Sequence, residues 1–203
     1  VGPEKRSCGV GSGLLVAYRA DGEIDPRFAD HGRARVNGGH LAVDRGGRPL
    51  VLGSPQLPHR SENGKGPYVH PHRSLTEVLR LTAHGKRDST FGRGGVAKIL
   101  LPGPRSRLNS IALAPDGNIF FGGTLVSGTV QSGTSSAFAA FGLSPDGRRI
   151  ASFGNWGLIA TRFGAASDSG AQQAVFTPGG RLVLAGALGN PSLPTGEGLA
   201  LSR

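Results

Sequence analysis

A single cysteine, Cys8, excludes an internal disulfide and leaves the redox compartment open. No stretch approaches the roughly 18 to 20 consecutive apolar residues of a helical membrane span, so none is predicted. Methionine is absent, the initiator included, and the expectation is a chain processed or cut from something longer. Carboxylates are sparse, with 13 Asp+Glu against 23 Lys+Arg. No separated carboxylates suited to acid–base work and no Ser-His-Asp set stand out. Gly9, Gly11 and Gly13 have part of a nucleotide-loop spacing but no flanking strand and helix, and are read as a flexible linker.

What the chain has in abundance is turn-formers, 35 Gly and 14 Pro in 203 residues. They are not scattered. YRADGEIDPRFADHG (18–32), LTAHGKRDSTFGRGG (81–95) and LSPDGRRIASFGNWG (143–157) share one frame: Gly22, Phe28, Gly32; Gly85, Phe91, Gly95; Gly147, Phe153, Gly157. A second frame alternates with it, in LAVDRGGRPLVLG (41–53), IALAPDGNIFFGG (111–123) and AVFTPGGRLVLAG (174–186). Together they make a unit of 62 or 63 residues, the mark of a stacked or radial repeat architecture.

Four strands fit each unit. An apolar run comes first (LLVAYR, EVLRL, FAAFGL), and a second strand follows the Phe-Gly segment (RARV, VAKIL, LIATRF). The third and fourth flank the second-frame glycine, as a hairpin predicted to turn through two residues with positive φ. Runs such as LVLAG are continuously apolar and suit strands buried on both faces. Phe28, Phe91 and Phe153 read as apolar pegs between successive sheets, and Trp156 is expected to pack there too. The fold expected is all-β, a β-propeller of four-stranded blades.

The succession of an apolar run, a DG-x-x-D-x-x-FG-x-x-G segment and an apolar-PDG-apolar-apolar-GG segment resembles the delta-60 repeat. The resemblance spans residues 14 to 203 apart from loops. That family occurs in bacterial secreted and surface proteins, is similar to propeller blades, and implies no catalytic residues. Its Asp is present as Asp25 and Asp88 but replaced by Ile150, and its Gly after the Phe is Ala29 in the first copy. The whole chain, 1–203, is then a single partial propeller with units of about 14–75, 76–136 and 137–198 and the start of a fourth at 199–203. About three and a quarter blades make an incomplete ring, since propellers need at least four. The expected partners are the remaining blades of a parent protein or a second copy of the chain.

Charge and the one irregular loop supply the functional candidates. Residues 1–107 carry 18 of the 23 basic residues against 9 acidic ones, so an anionic polymer or glycan is a possible partner for this half. With 19 Arg to 4 Lys spread singly, nothing points to specific nucleic-acid recognition. Segment 54–74 is longer than its counterparts and holds His59, Tyr68, His70 and His72 as candidate ligand contacts. His70 and His72, two apart on an extended segment, are also candidate metal ligands. No cofactor is expected. The leading reading is a non-catalytic scaffold or binding module from a bacterial extracellular or cell-surface protein, the compartment coming from the resemblance alone. The alternatives are a lyase- or hydrolase-type propeller using a metal or His on one ring face, and a polyanion or glycan binder.

Overall fold

The computed structural model describes residues 12–53, 73–103, 105–129, 133–163, 168–189 and 197–202. Among them there is no helix, and hence none long and apolar enough to cross a membrane. The chain is all-β, with every strand pairing antiparallel.

Four sheets follow one another along the chain. The first pairs β1 (Ser12–Val16) with β2 (Arg33–Asn37). The second orders β3 (His40–Val43), β4 (Pro49–Gly53), β5 (Arg73–Arg80) and β6 (Val96–Pro102) as neighbours. The third does the same with β7 (Arg107–Leu113), β8 (Ile119–Thr129), β9 (Gly133–Leu143) and β10 (Leu158–Thr161). The fourth holds β11 (Asp168–Phe176), β12 (Leu182–Gly189) and β13 (Glu197–Ser202). The sheets are half a unit out of phase with the sequence units. Each complete sheet opens on the second-frame hairpin and closes on the strand after the Phe-Gly segment, because a repeat's period is set in the sequence while its origin is arbitrary.

Three apolar cores lie between successive sheets. Phe28, Val36, Val51 and Leu81 join the first sheet to the second. Phe91 is fully enclosed between the second and third, among Leu50, Leu52, Val78, Ile99, Phe121 and Phe141. Phe153 is half-buried between the third and fourth, edge-on to Phe120 at 4.9 Å.

The recurring Gly-Phe-Gly spacing has a specific mechanical role. The residue after the Phe donates its N–H to the carbonyl before the next unit's turn glycine: Ala29 to His84 at 2.8 Å and Gly92 to Asp146 at 2.8 Å. The turn glycine then sits on the preceding Phe. A Cβ at Gly85 would lie 3.0 Å from the Phe28 ring, and one at Gly147 would lie 2.9 Å from the Phe91 ring. The first unit is thus joined to the second, and the second to the third, by the same backbone hydrogen bond and the same ring–glycine contact.

Turn chemistry departs from expectation in one respect. The second-frame hairpins turn through three residues, with the Asp44 N–H bonded to the Arg48 carbonyl and the Gly47 N–H to the Asp44 carbonyl. Only the last residue of each loop, Gly47, Gly117 or Gly180, has positive φ, which is a type I turn closed by a glycine bulge. The two-residue turns with two positive φ angles occur elsewhere, at His31-Gly32, Gly94-Gly95 and Trp156-Gly157. Trp156 therefore does not pack between sheets. At φ 51° on a turn tip it is 70% exposed.

Candidate functional site

The first strands of three sheets, β3, β7 and β11, neighbour one another, and a cleft opens at each end of this group. Their chemistry differs.

At the hairpin-turn end a cleft of about 430 Å³ is lined by Asp44, Arg48, Arg80, Leu113, Pro145 and Phe176 among others. Its two arginines that are not exposed are already engaged. Asp44 accepts from the Arg48 Nε at 2.8 Å and from the backbone N–H groups of Gly46 and Arg48 at 2.9 and 3.0 Å. Arg80, 3% exposed, donates from Nε to Asp88 at 2.8 Å, from Nη1 to the Pro145 carbonyl at 2.5 Å and from Nη2 to Thr90 at 3.1 Å. Its guanidinium carbon also lies 4.6 Å from the Phe91 ring centroid. Asp88 accepts from the Thr90 hydroxyl at 2.6 Å and the Thr90 N–H at 3.1 Å. The Thr90 hydroxyl bond is the main reason its carboxyl is held below the ordinary carboxylate range, with Arg80 reinforcing it against the opposing effect of burial. This network ties the second sheet to the next unit's turn at Pro145. It is structural in character, because each buried charge has its partner inside the fold.

The opposite end carries a more open cleft of about 500 Å³, which includes Arg105, Arg107, Asn109, Thr124, Ser169 and Gln172. No lining residue carries a carboxylate, and neither arginine forms an ion pair among the described residues. Two β-bulges aim amides into it. The β7–β8 register slips between Leu108 and Ser110, leaving Asn109 as the extra residue. The β11–β12 register slips between Ala171 and Gln173, leaving Gln172 extra. Bulges re-aim side chains in this way beside binding sites. The Asn109 amide is held by donation to the Ala171 carbonyl at 3.0 Å. Below it Ser169 is buried, its hydroxyl donating to the Ser136 carbonyl at 3.0 Å. Guanidinium groups, amides and hydroxyls together suit an anionic ligand rich in hydrogen-bonding groups.

The chain matches no family model and no curated protein.

His59, Tyr68, His70 and His72 lie outside the described residues. Among the described residues no group of three His, Cys, Asp or Glu side chains could hold a metal ion. The repeat positions Gly22, Phe28, Gly32, Gly85, Phe91, Gly95, Gly147, Phe153 and Gly157 all fall in the turns and inter-sheet cores described above. Asp25 and Asp146 cap exposed turns. Their carboxyls are also held low, Asp25 chiefly by the Arg27 side chain and Asp146 chiefly by the Ser144 hydroxyl. Sequence reading missed Asn109 and Gln172. A signal existed: both stand eight residues before their turn glycines, Gly117 and Gly180, so two hairpin frames carry an amide at the same offset.

Proposed function

We propose that this chain is a section of a non-catalytic β-propeller scaffold of delta-60-type repeats, and that it binds ligand at the cleft holding Arg105 and Arg107. The observation that carries the scaffold reading is the repeated fastening of one sheet to the next. Ala29 to His84 and Gly92 to Asp146 are the same bond at the same frame position, and the first strands β3, β7 and β11 run beside one another. Sheets joined in this serial way support a reading of them as blades arranged radially. A bacterial extracellular or cell-surface setting follows from the repeat resemblance.

The ligand class we assign is an anionic glycan or similar polyanion. Support comes from the contrast between the two clefts. One engages Arg48 and Arg80 in ion pairs within the fold, while the other presents Arg105 and Arg107 without a described acidic partner, flanked by the bulged amides of Asn109 and Gln172. Chromatography on heparin tests the assignment. The Arg105→Ala/Arg107→Ala double variant should elute at markedly lower salt than the parent. An Arg33→Ala/Arg35→Ala variant, which removes equal charge from exposed positions of β2, should elute close to the parent. Equal shifts in the two variants would reduce the binding to nonspecific net charge and sink the assignment.

A further inference from the structure

Three second-frame turns converge on the hairpin-turn cleft. They are closed by the Asp44 N–H bonded to the Arg48 carbonyl, the Ala114 N–H to Asn118 and the Thr177 N–H to Arg181. The second residues of these turns, two before Gly47, Gly117 and Gly180, are Arg45, Pro115 and Pro178, and all three line the cleft. Proline suits this position, since its ring fixes the φ that the first central residue of a type I turn requires. Arg45 brings no such backbone advantage. What it brings is a charge.

That charge has no described counter-charge. Of the other charged residues lining the cleft, Asp44 pairs with Arg48, and Arg80 pairs with Asp88, each at 2.8 Å. Arg45 is exposed and forms no ion pair among the described residues. The carboxylates of the adjoining turns are engaged as well. Asp146 pairs with Arg148 at 3.0 Å, and Asp116 accepts from the Asn118 N–H at 3.0 Å and from its side-chain amide at 2.7 Å.

Around this cation the surface is apolar. Leu50 and Ile119, almost wholly buried, form the floor, and Val43, Leu113 and Phe176 join the two prolines as walls. The walls are held in place: Phe176 packs on Phe120 with ring centroids 5.1 Å apart, and the Pro145 carbonyl accepts from Arg80 at 2.5 Å. The volume of about 430 Å³ lies within the small-molecule range of about 300–1,000 Å³.

We propose that this cleft is a second binding site, separate from that of Arg105 and Arg107, for a small monoanion with a flat apolar body, the chemistry of an aromatic carboxylate. The carboxylate meets the Arg45 guanidinium, whose planar fork matches two oxygens. The ring lies against the prolines and Phe176, out of water. A polyanion would set its further charges against apolar walls, and a neutral ring would gain nothing from Arg45. The proposal does not rest on the polyanion reading of the opposite cleft.

Isothermal titration calorimetry with 2-naphthoate, and with 2-naphthamide as its uncharged counterpart, tests it. Naphthoate should bind saturably at a single site per chain and roughly five- to tenfold more tightly than the amide, as one partly solvated charged pair allows. Arg45→Ala, at an exposed turn position, should erase that difference by weakening naphthoate alone, and Arg45→Lys should restore part of it. Val43→Ser, at a half-exposed wall position, should weaken both ligands. Arg35→Ala, which removes equal charge from β2, should change neither. Absence of saturable binding, equal affinity for the two ligands, or the same loss from Arg35→Ala as from Arg45→Ala would each overturn the proposal. Unchanged affinities in Val43→Ser would remove the ligand from this cleft.

Discussion

Phe28, Phe91 and Phe153 occupy one frame position, so their truncation to Ala isolates what the surroundings contribute. Phe91 is 0% exposed within a twelve-residue core and has the guanidinium of Arg80 at 4.6 Å. Removing it takes away a full aromatic side chain and leaves a cavity that stiff strands on both sides cannot close, a loss of about 3–5 kcal/mol. Phe28 is 7% exposed in a core of four buried residues, beside a sheet with two described strands, where collapse is easier. Its loss is expected near 3 kcal/mol, the lower end of the same range. Phe153 is half-buried and keeps one edge-on neighbour, Phe120, so roughly 2 kcal/mol is expected from the lost burial. For a chain of this size 1 kcal/mol corresponds to about 2–4 °C in Tm. Phe91→Ala should then melt on the order of 10 °C below the parent and the other two should fall between. Urea titrations followed by far-UV circular dichroism measure the order. A Phe153→Ala loss equal to that of Phe91→Ala would show that the frame position, and not the enclosing sheets, sets the energy, and the inter-sheet account would fail.

The turn glycines allow a matched pair. Gly22 and Gly147 have φ of 85° and 84°, but a Cβ at Gly22 meets nothing within 4 Å, whereas at Gly147 it would meet the Phe91 ring at 2.9 Å and the Gly92 backbone nitrogen at 3.0 Å. Gly22→Ala should cost about 1–2 kcal/mol for the left-handed backbone alone. Gly147→Ala should cost a further 1–3 kcal/mol or so for overpacking, and equal denaturation midpoints would refute the fastening described between units. Acid sensitivity should track the lowered carboxyls. A depressed carboxyl contributes stability above its unfolded value, near 4, and loses it as pH falls through the folded value. Asp88→Asn should therefore lower the melting temperature at neutral pH yet flatten its decline below about pH 4, the residual slope belonging to Asp25 and Asp146; an unchanged acid limb would count against Asp88.

Much of the architecture is written locally. Glycine at positive φ, alternating or continuous apolar runs and a Phe at constant offset are properties of short segments, and they place the strands and turns of all three copies. Trp156 illustrates the limit of such reading. Its apolar ring suggested a core, but the two-residue turn it occupies with Gly157 directs it outward, and turn type depends on how the flanking strands pair.

What the sequence determined by itself was the period, the strands, the turn positions and the pegs, because backbone preference and side-chain alternation act over a few residues. Tertiary structure alone decided how the strands group into sheets, since hydrogen bonds between strands as far apart as β4 and β5 are non-local and a repeat has no intrinsic origin. It also decided that Asn109 and Gln172 meet at one cleft, because a register slip of one residue is a property of the strand pair and not of either strand alone. And only there does Arg80 find Asp88, Thr90 and Pro145 together, three partners drawn from two units of the repeat.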